Sequence, residues 1–177
     1  MPWKEIQKEK ILFDKKVQTF CVSNKFECPN YGHNWACPPE APYLEDEIMN
    51  FEKYFLVYSK IIISSEKDTK EIEKSNSLNI QKELRDEIEG EISRFLKQNK
   101  SKYERIKILW DGHCRICSKE GKKCTYDTGE SCRYPDKIRY SMEAVGIHVT
   151  KTVKKAGLNI EWPPKNHVFR FALISAK

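Results

Sequence analysis

Between residues 54 and 64 apolar side chains occupy both parities, with Phe55, Val57, Ile61 and Ile63 on one and Leu56, Tyr58 and Ile62 on the other. Period-two placement with both faces apolar predicts a central strand, covered above and below. A helical rhythm takes over across residues 78–98, where Leu84, Ile88, Ile92 and Phe95 or Leu96 share one face. Glu83, Glu87 and Glu91 fall on a different, solvated face, so this is the longest predicted helix, packed on the sheet by its apolar stripe. A shorter helix begins near Leu44, with Glu45, Asp46 and Glu47 suited to the positive end of the helix dipole. Its buried stripe is Leu44, Ile48 and Phe51. Residues 15–22 and 103–110 alternate and read as two further strands, each running directly into a cysteine-bearing segment. Ser141 is placed to cap a short helix, and a second helix through Lys154 ends at Gly157. Strands are expected over residues 158–162 and 168–175, parted by Pro163 and Pro164. Residues 1–14 read as a short helix or an arm, and residues 67–79 as a charged connection or linker helix.

This order predicts one α+β domain spanning residues 1–177, a compact sheet, ferredoxin-like in the loose sense, with helices on one face. The pattern fails in two places, residues 21–42 and 111–139. The first holds several prolines and no periodicity, so neither helix nor central strand fits. Long structureless stretches inside a compact domain need an external anchor. Both stretches are rich in cysteine: Cys21, Cys28 and Cys37 in the first, and Cys114, Cys117, Cys124 and Cys132 in the second. Two thiols separated by two residues, as at Cys114 and Cys117, can aim at a common point, and two more downstream complete a four-thiolate set. Thiolate coordination is therefore the expected anchor.

Composition narrows the alternatives. The chain has seven cysteines, an odd number that a disulfide framework would not consume. Its first residues lack an apolar targeting segment, and no apolar run is long enough for a membrane helix, so a cytoplasmic, reducing location is expected. The net charge of +6 is mild, and basic residues are interspersed with acidic ones, which argues against a nucleic-acid interface. No phosphate-binding glycine loop, Ser-His-Asp order or His-Glu-x-x-His motif occurs. An enzymatic reaction is neither indicated nor excluded.

The run Cys28-Pro-Asn-Tyr-Gly-His-Asn-Trp-Ala-Cys37-Pro-Pro, the Cys114-x-x-Cys117 pair, Cys132-Arg-Tyr-Pro and Ser141-Met-Glu-Ala-Val-Gly-Ile together resemble a family of predicted metal-binding proteins, domain of unknown function 2284. The resemblance spans roughly residues 21–157. It implies metal binding, with family members looking like iron–sulfur proteins of archaea and anaerobic bacteria. By motif position it makes Cys21, Cys28 and Cys37 one ligand set and Cys114, Cys117, Cys124 and Cys132 another. Six residues separate Cys117 from Cys124, more than the family pattern leads one to expect.

Two metal chemistries suit these thiols. A [4Fe–4S] cluster would take the four-cysteine set, with electron transfer to a redox protein partner as the accompanying role. The three-cysteine set would then be completed by His33 or His113, or would leave one iron open to a small ligand; alternatively both segments pool their ligands in one site. Zinc would instead staple a structural or binding module for protein or nucleic acid. Tyr31 and Trp35 are candidates to shield a cluster from water, against the alternative of plain loop packing. Arg115, Arg133 and Arg139 are candidates to balance cluster charge or meet an anionic partner, against simple surface solvation. His148 and His167 read as ordinary surface or half-buried residues.

Overall fold

A computed structural model of the chain describes residues 2–23, 26–62, 77–160 and 167–177. Four strands form the main sheet: β1 (Trp3–Ile6), β4 (Lys53–Ile62), β5 (Ile106–Leu109) and β6 (His167–Ala176). Their order is β1-β4-β6-β5, and every neighbouring pair is antiparallel. A small hairpin, β2 (Val22–Ser23) with β3 (Phe26–Glu27), stands apart. Among the described residues the α-helices are α1 (Glu45–Met49), α2 (Ser77–Asn99), α3 (Ile116–Lys119) and α4 (Val149–Lys155).

The α+β class is as expected, and β4 is central, flanked by β1 and β6. Its two parities feed two cores. Tyr54 and Leu56 join Ile48, Met142, Val145, Ile147, Val153 and Leu173 on one face. Phe55 and Val57 join Ile88, Ile92, Phe95, Ala172 and Ile174 on the other. Helix α2 therefore covers one face, while α1, α4 and the turns of residues 141–147 cover the other. Helices on one face only was the expectation, and it is corrected here: a strand apolar on both parities needs cover on both sides. Nor does the chain follow the β-α-β-β-α-β order of a ferredoxin-like unit, because a helix separates each pair of consecutive main-sheet strands.

Local corrections have local causes. Residues 15–22 do not form the expected strand; Lys15–Thr19 is a tight 3-10 turn, capped by the Asp14 carboxylate accepting from the Lys16 N–H at 2.9 Å. Gln18 then spends its amide on the carbonyls of Ala41 and Ala144, at 2.9 and 2.8 Å. Polar satisfaction beats a weak alternation. Residues 3–6, expected in a helix or arm, form an edge strand on β4. Ser141 caps a turn rather than a helix, its Oγ accepting from the Ala144 N–H at 3.1 Å. Residues 158–160 are irregular instead of a strand, and residues 161–162 lie outside the described set, as do residues 67–76 of the expected linker. Glu91, expected on the wet face of α2, is buried and paired with Arg94. Gly157 ends α4 as expected, with φ of 82°. Among the described residues no helix is long and apolar enough to cross a membrane.

Candidate metal centre

The second cysteine segment leaves and rejoins the structure at one place. Trp110, which follows β5, donates its N–H to the Tyr140 carbonyl at 2.7 Å, and Trp110 pairs with Ser141 in an isolated parallel bridge. Residues 111–139 thus form a closed excursion from the sheet edge. Within it, Cys117 rides on α3, and the N–H groups of Glu120 and Lys122 fold back onto its carbonyl at 3.0 and 2.9 Å. The reversal needs Gly121, whose φ is 70°. Thr125, 1% exposed, donates its hydroxyl to the Ser131 carbonyl at 3.0 Å. That bond joins the neighbours of Cys124 and Cys132.

The first segment is held by its own turns. The N–H of Cys28 reaches the Cys21 carbonyl at 2.8 Å across the small hairpin, and that of Cys37 reaches the Asn34 carbonyl at 2.9 Å. Residues 28–42 then lean on the second segment. Trp35 donates its indole N–H to the Thr125 hydroxyl at 3.2 Å, and its ring meets Tyr126 edge-on at 4.9 Å. Asn34 donates to the Cys114 carbonyl at 3.2 Å, and His33 Nδ1 pairs with Asp127 at 2.7 Å. The two segments thus meet through side chains.

Between them lies a cavity of about 370 Å³ lined by Cys114, Cys117, Cys124 and Cys132. Cys124 takes its place with the other three despite the long spacing from Cys117. His33, His113 and Trp35 also line this cavity; Tyr31, Arg115 and Arg133 are outside its wall. Arg115 turns to Glu89 of α2, and exposed Arg133 donates to the Lys123 carbonyl at 2.7 Å. Arg139 lies over the Trp110 ring at 3.7 Å and also pairs with Glu89. Glu89 gathers Arg115, Lys119 and Arg139, so α2 anchors the cysteine segment. Periodicity alone gave that helix face no role, because Glu89's partners are distant in sequence. Thr125 and Asn34 were also missed, having no signal beyond standing one and three residues from a cysteine.

The electrostatics follow from bringing partly buried thiols near one another. Burial, followed by the charges of Cys28, Cys21, Cys114 and Cys124, pushes the Cys37 thiol up to about 12. Burial and Cys28 push Cys21 up to about 11, with Glu143 adding to the rise. Cys132 is raised by burial and by its three cysteine neighbours, against a backbone hydrogen bond from Tyr134. All these shifts oppose a cluster of bare thiolates and would be relieved by positive charge placed among them. Burial and the nearby Arg115 and Arg85 keep His113 below its ordinary range, hence neutral. Among the described residues, however, no three His, Cys, Asp or Glu side chains converge closely enough to hold one metal ion.

No curated protein and no solved structure matches the chain. One family model, described as "Predicted metal-binding protein (DUF2284)", matches residues 4–174. With almost the whole chain matched, the protein belongs to this family of predicted metal-binding proteins.

Proposed function

We propose that the chain binds a [4Fe–4S] cluster through Cys114, Cys117, Cys124 and Cys132 and serves in electron transfer with a protein partner. The observation that carries this reading is the single cavity of about 370 Å³ walled by those four thiols. A lone zinc ion draws its sulfurs to about 2.3 Å from one centre and needs no chamber. A multi-atom cluster needs thiols distributed round a larger space, and a cavity lined by all four cysteines supports that reading. Such a cluster supplies one-electron redox chemistry whose potential depends on burial and on hydrogen bonds to sulfur.

The chain's own residues provide the rest. Trp35, Ile116 and Ile138 in the wall limit water, and Asn34 fixes the Cys114 backbone. Cys21, Cys28 and Cys37 form the proposed second set. Cys37 feels the charges of both Cys114 and Cys124, which supports placing the two sets side by side. Three thiols leave one iron position of that set open to a small ligand. Exposed Phe20 and Val22 flank Cys21 and offer an apolar approach for a soluble redox partner.

Purification without oxygen tests the assignment. We expect brown protein with equal iron and acid-labile sulfide, and loss of both when Cys117 and Cys124 are changed to serine. Colourless protein holding zinc in place of iron would overturn it.

A further inference from the structure

A second cavity, of about 330 Å³, opens on the other side of Asp111. Strand β5 ends at Leu109, opposite Leu173, so β6 runs on through His167 and Phe169 without that neighbour. The space beside this overhang is walled by Asp111, Glu143, Ile160, Phe169, Arg170 and Phe171, among others. Nothing in the cluster reading uses it.

Its chemistry is one-sided. The Asp111 side chain is 7% exposed, and Oδ1 accepts from Arg170 Nη1 at 3.0 Å. Its other oxygen, Oδ2, is buried and has no hydrogen-bond partner. A buried carboxylate oxygen without a donor is costly enough to require an explanation. Glu143 is exposed; crowding of its carboxyl and the Asp111 charge push its pKa up, against hydrogen bonds from its own N–H and Ser141 and the Arg170 charge. The one guanidinium among the described wall residues, Arg170, is already engaged by Asp111 and by Gln81. The opposite wall is aromatic: Phe169 and Phe171 stack at 5.6 Å with an interplanar angle of 11°, and His167 tilts onto Phe169 at 5.9 Å.

We propose that this cavity binds a small organic cation, an ammonium or amidinium group carried on an apolar or aromatic body. The head donates to the Glu143 carboxylate, its charge offsetting that of Asp111 beside it, whose Oδ2 lacks a donor, and the body lies against Phe169 and Phe171. Carboxylates opposite aromatic faces are the pairing that recognises such cations. An anionic ligand would meet two carboxylates and find the guanidinium occupied.

Titration calorimetry on the metal-loaded protein tests this, with phenethylammonium as probe and hydrocinnamate and phenethyl alcohol as its anionic and neutral counterparts. Saturable binding of the ammonium is expected, about tenfold or more tighter than either counterpart. Phe169→Ala should weaken it severalfold or more while iron content stays unchanged, and Glu143→Gln should weaken it likewise. Asp111→Asn should do the same, and if that variant does not fold, Glu143→Gln decides alone. No saturable ammonium binding, equal binding of hydrocinnamate, or indifference to Glu143→Gln would each overturn the proposal. Iron content reads the cluster assignment separately.

Discussion

Replacing Glu89 by glutamine keeps the shape of the side chain and removes the charge that ties α2 to the cysteine segment. In the folded chain this carboxylate meets Arg115 at 3.4 Å, Arg139 at 3.2 Å and Lys119 at closer range. Glu89, Arg115 and Arg139 are each about one-fifth exposed, at 20%, 19% and 21%, whereas Lys119 is 51% exposed. Charge-assisted hydrogen bonds in partly buried sites contribute about 1.5–3 kcal/mol, and exposed pairs about 0–1 kcal/mol. The Arg115 contact is long and the Lys119 contact is open to water, so the set as a whole is worth roughly 2–3 kcal/mol. For a chain of this size that lowers Tm by about 4–12 °C. Burial raises the Glu89 pKa, but Lys119 and Arg139 outweigh it and hold the carboxyl below its ordinary 4.5. A depressed acid stabilises fully above its unfolded pKa and loses that contribution as pH falls through the folded one. Wild type and Glu89→Gln should therefore differ at neutral pH and converge only in acid below the depressed folded pKa. Urea unfolding at both pH values, monitored by tryptophan fluorescence, measures the gap. A gap under about 0.5 kcal/mol at neutral pH, or one that persists undiminished in acid, would falsify the reasoning.

Thr125→Val should strand the Ser131 carbonyl and the Trp35 indole N–H, costing about 1–3 kcal/mol, with Thr125→Ser restoring most of it; thermal unfolding of the three proteins checks this. Gly146 has φ of 100°, and an added Cβ would lie 2.3 Å from the Tyr43 ring. Since Tyr43 is held by Glu45 and Phe13, Gly146→Ala should destabilise by about 3–5 kcal/mol, read from denaturant midpoints. The raised thiols of Cys21 and Cys37 stabilise the metal-free, reduced chain fully below the ordinary 9.0, and that contribution fades as pH climbs toward about 11 and 12. Melting of the metal-free protein should thus fall steeply above pH 9.0, while metal-loaded protein, whose thiolates are already ionised, should change much less.

Strong, local patterns were legible in the residues alone. The double-parity apolar run made β4 central, and the stripe of Leu84, Ile88, Ile92 and Phe95 placed α2 against the sheet, because each signal depends only on the chain's own geometry. The cysteine spacing likewise singled out Cys114, Cys117, Cys124 and Cys132, which line one cavity. Weak alternation misled at residues 15–22, where Gln18 found buried carbonyls that no neighbouring residue announces. Tertiary structure decided the rest: which face each helix covers, that Trp35 and Thr125 lock two segments about 90 positions apart, and that Asp111 reaches Arg170 across the sheet edge. Those outcomes depend on long-range packing and on desolvated charges finding partners, and a partner distant along the chain leaves no periodic trace in it.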